Sequence, residues 1–228
     1  MDYNLIGSTL RDCRRVASLN DDIYPGCDRA NCFGYFSESK DFRDIVLEYI
    51  ASIPKSKKPI IHVDLAGRAQ AFEFGVDISY SFALNKNNGK SGERDFIFFQ
   101  GDFFNGKDFV RFLNTLRERK HFPSFVTFAP HAGFQEIPYN YVTKTLLGKR
   151  FCQVVEIMSL EGLLYMERPF AISDTLDFFK GLKQGEYGRS MDVKRLSRKM
   201  GCKVQMAESV YGPRFLVQKT RLVKNYRL

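Results

Sequence analysis

An α/β sandwich built on a mostly parallel sheet is the architecture this 228-residue chain predicts, and three observations predict it. From Pro59 onward, short β-branched and aromatic runs alternate with stretches whose apolar residues recur at helical spacing. The alternation continues over most of the chain, as strand, helix, strand units of a parallel sheet require. The last two strand-like runs have only a turn between them, which adds an antiparallel pair at the C-terminal edge.

The N-terminal region comes first. Gly7 to Phe36 has weak periodicity and turn-formers such as Asn20-Asp21-Asp22 and Pro25-Gly26, so it reads as loop with short helical pieces. Phe42, Ile45, Val46, Tyr49, Ile50 and Ile53 then form one helical stripe, with Ser37 or Ser39 as cap and Pro54 as stop. The basic linker Pro54 to Pro59 divides an N-terminal helical and loop cap, residues 1–58, from the main domain, residues 59–228. In that domain Ile60 to Asp64, Phe96 to Gln100 and Phe125 to Ala129 read as strands, and Lys107 to Lys120 and Tyr139 to Lys149 as helices. Cys152 to Met158 and Leu163 to Met166 are expected to give one or two more strands. A helix from Ser173 through Leu182 and a basic helix from Met191 to Met200, closed by Gly201, precede the final strands Cys202 to Ala207 and Arg214 to Lys219.

Composition narrows the class. Apolar residues make up 44% and charged residues 27%, which suits a folded globular chain. No stretch approaches the roughly 18 to 20 uncharged apolar residues of a membrane-spanning helix, and Met1-Asp2-Tyr3-Asn4 does not begin like a signal peptide, so a cytoplasmic protein with no membrane partner is expected. The five cysteines are odd in number and irregular in spacing, which argues against paired disulfides. Cys27 and Cys32 have no second Cys or His pair nearby to complete a zinc site. The formal charge is +9, and it is local: from Arg189 onward 11 basic residues face 2 acidic ones, while the residues before are balanced. Lys194, Arg195, Arg198 and Lys199 make this basic region a candidate contact for nucleic acid.

In open α/β sheets, ligands gather at the carboxyl ends of the strands. Four such ends are candidates. Asp64 is followed by the small residues Ala66 and Gly67, a turn that lets a ligand approach backbone amides beside a carboxylate acceptor. Gly101-Asp102 offers a second carboxylate, with phenylalanines suited to wall a heteroaromatic ring. His131 leaves the sheet in a loop bracketed by Pro130 and Gly133 and is the histidine best placed for general base work or substrate orientation. His62 is expected inside a strand as a core or sheet-face residue, and His121 beyond a helix C-terminus. Glu167-Arg168 closes the fourth strand with charges that an ion pair would explain equally well.

The order of these motifs resembles the class I S-adenosylmethionine-dependent methyltransferases. Ile60 to Gly67 is similar to their first strand and glycine-rich turn, Phe98 to Asp102 to the strand whose acid lies beside the adenine, and Ala129-Pro130-His131 to the loop carrying acceptor-side residues. Glu161 to Tyr165 resembles that family's Pro-Gly-Gly turn and adjoining strand, and the last two strands resemble its terminal antiparallel pair. The resemblance covers residues 59 to 220 and implies a Rossmann-like three-layer sandwich that binds S-adenosylmethionine, with Asp64, Ala66 and Gly67 at the methionine side and Asp102 at the adenine. Ala66, Arg68 and Gln70 stand where the family usually has glycine, so its glycine-rich turn is eroded. Gly75-Val76-Asp77-Ile78-Ser79 resembles the second-strand motif whose acid binds ribose hydroxyls, although Asp77 comes only 13 residues after Asp64. A helix and a new strand need about 18 or more. Either the crossover helix is truncated, which the alternation of Phe72, Phe74, Val76 and Ile78 favours, or residues 69–84 form one helix. Two other readings stand beside the methyltransferase: a methyltransferase-like module that no longer binds the donor and holds nucleic acid through the basic region, and a dinucleotide-dependent oxidoreductase. Asp64 to Ala71 lacks the spaced glycines that the oxidoreductase requires.

Overall fold

The computed structural model describes residues 40–65, 74–83, 95–103, 105–128, 141–167, 197–209 and 212–222. Among these residues there are seven strands: β1 (Ile61–Leu65), β2 (Ile78–Ala83), β3 (Phe96–Gln100), β4 (Phe125–Phe128), β5 (Leu163–Glu167), β6 (Cys202–Ser209) and β7 (Gly212–Lys219). They form one sheet in the order β3-β2-β1-β4-β5-β7-β6. The first five are parallel, and β7 pairs antiparallel with both β5 and β6. This is the Rossmann-like sandwich expected, with its antiparallel edge.

Helices cover both faces. Strand side chains alternate between the faces, so each strand feeds two cores. On one face Ile61, Val63, Tyr80, Phe82, Val126 and Leu164 meet α2 (Gly106–Glu118) and α3 (Tyr141–Ile157). Phe109, Phe112, Leu113 and Leu116 of α2 are all buried, each contributing about 1.5–3 kcal/mol by removal from water. Asn105 caps α2, its side-chain oxygen accepting from the Lys107 amide at 3.0 Å. On the other face α1 (Lys40–Ser52) sets Phe42, Val46 and Ile50 against Phe125, Leu163, Tyr165 and Leu216. Among the described residues no helix is long and apolar enough to cross a membrane.

Two expectations change. Cys152 to Met158 is not a strand: α3 runs through Ile157. Phe151, Val154, Val155 and Met158 are buried while Lys149 and Glu156 are exposed, a helical pattern in which burial of one face outweighs the β-branched composition. The second strand begins after Asp77 and does not end near it. Gly75, at φ 86, turns the chain just before. The expected helices Ser173 to Leu182 and the first part of Met191 to Met200 lie outside the described residues; 197–199 are helical and stop at Gly201, at φ 63.

Candidate ligand-binding crevice

The chain leaves β1 toward β2 on one side and pairs it with β4 on the other, so the strand order reverses between β1 and β4. A crevice outside the carboxyl ends of strands at such a point is where open α/β sheets bind ligands. Asp64 and Thr127 face each other across it in register, each one residue short of its strand's end. The Thr127 hydroxyl donates to Asp64 Oδ1 at 2.5 Å, and both side chains are buried.

This pair ends a longer polar chain. His62 Nε2 lies 3.0 Å from Thr127 Oγ1, and His62 Nδ1 lies 2.7 Å from Ser79 Oγ. A hydroxyl has one proton, and Thr127 gives its own to Asp64, so it receives the Nε2 proton of His62. Nδ1 then accepts from Ser79, which fixes the neutral tautomer. Complete burial agrees, because it pushes the His62 pKa down to about 3. His62 is therefore the sheet-face residue expected, with the added part of bracing Thr127.

Asp102 sits at the carboxyl end of β3, buried, its amide donating to Asp108 Oδ2 at 3.1 Å in the first turn of α2. Beside it Phe103 stacks on Phe128 of β4, with ring centroids 5.2 Å apart, which joins the ends of the two strands through an aromatic pair. Arg150 of α3 secures this turn. Its Nε donates to the Phe103 carbonyl at 2.8 Å, and its guanidinium lies 4.9 Å over the Phe109 ring. Burial lowers the Arg150 pKa to about 10, opposed by the Asp102 charge. Gly101 answers a packing demand: a Cβ there would lie 2.6 Å from the Phe82 ring.

Asp64, Gly101 and Asp102 are thus brought to the carboxyl end of the sheet. Asp77 is not. It precedes β2 at the amino end, where its carboxylate accepts from the Ile60 amide at 2.7 Å and from Lys58 Nζ at 2.9 Å. Partial burial works against its charge, yet these two donors and the Lys58 charge hold the carboxyl below its ordinary value. At the carboxyl end of β2 the described residues Phe82 and Ala83 offer no acid. Ala66, Gly67 and His131, with Lys194 and Arg195 of the basic region, lie outside the described residues. Arg198 and Lys199 are exposed and lie beside the start of β6, at the amino end of the sheet. Thr127, His62 and Arg150 join the site only through the fold. Only the β1 to β4 register places Thr127 against Asp64, and nothing local signals it.

No family model matches the chain, and no curated protein sequence matches it. Solved structures do. DesVI of Streptomyces venezuelae is 15% identical with a TM-score of 0.50, over 90% of this chain and 98% of that one. An O-methyltransferase from Bacillus cereus, solved in complex with SAH, is 9% identical with a TM-score of 0.50, over 93% and 91%. The chain spans 50% of the length of the MycE methyltransferase from the mycinamycin biosynthetic pathway, to which it is 10% identical with a TM-score of 0.47 over 86% of its own length. The likeness to the first two shows a shared fold, the Rossmann-like α/β sandwich, and no more than that.

Proposed function

We propose that this chain, with the fold of the class I methyltransferases, binds S-adenosylmethionine in the crevice between β1 and β4 and transfers its methyl group to an acceptor. The observation that carries the reading is the buried Asp64 carboxylate, oriented by Thr127 at the point where the strand order reverses. The donor set fits at two places. Asp64 suits the ammonium of the methionine moiety, since an oriented carboxylate forms a strong charge-assisted hydrogen bond. Asp102, on a turn held by Asp108 and Arg150, suits the amino or hydroxyl donors of the adenosine. Asp77 has no part in it, and a ribose contact falls to a group other than a carboxylate on β2.

Ala66 and Gly67 come soon after Asp64, with little side chain to keep a ligand from the backbone. When bound, the donor supplies an electrophilic methyl group on a sulfonium. The chain's own task is then to align the acceptor with that group, which can account for much of the rate without a strong base. His131 orients the acceptor or takes its proton.

Calorimetry with S-adenosylmethionine and S-adenosylhomocysteine tests the reading. One site per chain is expected, weakened at least about tenfold by Asp64→Ala, a loss of about 1.4 kcal/mol. Absence of heat with either compound at millimolar concentration would falsify it.

A further inference from the structure

Three of the four exposed large apolar side chains among the described residues, Phe122, Leu160 and Leu222, lie at the amino end of the sheet, away from the crevice. Their exposures are 49%, 46% and 67%. They belong to three loops that the backbone ties side by side. The Ser159 amide donates to the Pro123 carbonyl at 2.9 Å, which ties the loop that carries Leu160 to the loop that carries Phe122. The Glu161 amide donates to the Lys219 carbonyl at 2.8 Å, which brings in the segment ending at Leu222. Amides of Thr220 and Arg221 both donate to the Gly201 carbonyl, which adds the turn before β6.

Cations are set among these side chains. Arg119 and Lys120 precede Phe122, Arg221 precedes Leu222, and Arg198, Lys199 and Lys203 flank Gly201; all six are exposed. The exposed acids of the same loops and adjoining helix ends are Glu118, Glu156 and Glu161. The sequence located the basic surplus in the C-terminal segment alone. The fold joins that segment to the end of α2 and adds apolar side chains to it.

We propose that this end of the molecule docks on an anionic lipid bilayer, with Phe122, Leu160 and Leu222 entering the headgroup region and the surrounding cations meeting acidic lipid. Single exposed apolar residues are ordinary, whereas three on adjacent loops with cations between them match the chemistry of interfacial binding. A nucleic acid would use the cations but has no use for two exposed leucines, which cannot stack on bases. The surface is a row of loops joined at a sheet end, which suits a broad partner. Docked in this way, the crevice between β1 and β4 faces away from the bilayer. The proposal does not depend on methyl transfer.

Sedimentation of the full chain with phosphatidylcholine vesicles, with and without about 30% phosphatidylserine, tests it. Binding is expected only with the acidic lipid and should weaken at high salt. Replacing Phe122, Leu160 and Leu222 together by serine, which leaves the net charge unchanged, should weaken it about tenfold or more. A second variant with Arg119, Lys120, Lys203 and Arg221 changed to glutamine should lose it, and thermal unfolding confirms that each variant is folded. Failure to bind acidic vesicles, or binding that the serine variant leaves intact, overturns the proposal. So does salt-sensitive binding to a single-stranded oligonucleotide that exceeds vesicle binding, or a dimer that the serine substitutions abolish.

Discussion

Thr127 and Asp64, on neighbouring strands, are joined by a hydrogen bond across the point where the sheet reverses its strand order. The threonine hydroxyl serves two neighbours, giving its proton to Asp64 and accepting one from His62. Thr127→Val keeps the shape and removes both roles. Because it leaves buried polar groups without this partner, it should cost about 1–3 kcal/mol in urea unfolding. It should also lower S-adenosylhomocysteine affinity, while Thr127→Ser, which keeps the hydroxyl, stays close to the parent in both. A loss in Thr127→Ser with none in Thr127→Val would show that methyl packing rather than the hydrogen bond matters.

His62 makes a separate prediction about pH. Its folded-state pKa of about 3 lies below the ordinary histidine value of 6.5, so below that value the unfolded chain takes up a proton that the folded chain refuses. The stability tied to its neutral form is therefore complete above pH 6.5 and is lost as the pH falls toward 3. Denaturation curves across that window should show a declining limb that His62→Gln reduces. Nitrogen-15 spectra should show a neutral ring protonated at Nε2 from about pH 5 to 8, and a titration near the ordinary histidine value would refute the buried tautomer.

The fold was legible where local pattern and final burial agree. The runs Ile60 to Asp64, Phe96 to Gln100 and Phe125 to Ala129 are short and apolar, and strands stand at Ile61–Leu65, Phe96–Gln100 and Phe125–Phe128. Cys152 to Met158 misled because Val154, Val155 and Ile157 are β-branched; the polar positions Lys149, Gln153 and Glu156 carried the helical spacing that the apolar run obscured. The Asp64 to Asp77 interval is short for a strand end, but the alternation of Phe72, Phe74, Val76 and Ile78 favours one there, and the strand instead begins after Asp77. The site was half legible. Carboxylates at strand ends can be read from order alone, but the partners that hold them come from other elements. Thr127 is 63 residues from Asp64, and Arg150 is 47 from Phe103.

Gly101 tests the turn at β3. An added Cβ would lie 2.6 and 2.9 Å from two atoms of the Phe82 ring and 3.2 Å from Asp108 Cβ. Phe82 is fully buried and stacked on Phe112, with ring centroids 4.9 Å apart, so it has little room to yield. Gly101→Ala should destabilise the protein by about 1–3 kcal/mol. Because the same turn carries Asp102, the variant should bind the donor more weakly as well. A stability equal to the parent's in guanidinium unfolding would mean that the ring moves aside freely.

Asp77 separates a structural acid from a ligand-binding one. Asp77→Ala removes the acceptor of the Ile60 amide and the partner of Lys58 and should cost about 1 kcal/mol. The native carboxyl is held below its ordinary value, so its contribution is present at neutral pH and fades as the pH falls through that lowered value. The gap between parent and variant should accordingly narrow in acid. Donor affinity at neutral pH should not change, and a tenfold loss would return Asp77 to the site.

Lys219 ties β7 to the end of α3. Its side chain, only 2% exposed, donates to the carbonyls of Glu156 at 2.9 Å and Met158 at 2.6 Å, where the last turn of the helix has no amides of its own to offer. A cation there also meets the negative end of the helix dipole. Burial lowers the lysine's pKa, a cost that the two carbonyl bonds offset. Lys219→Met fills similar space and removes both donors. Two acceptors, one buried and one partly buried, then lose their partner, and the expected destabilisation is about 2 kcal/mol. Hydrogen exchange should report where it falls, with amides in the last turns of α3 losing protection before those of β1 and β4. Since Lys219 lies at the amino end of the sheet, donor affinity of the folded variant should match the parent; unfolding midpoints that also match would refute its role as a cap.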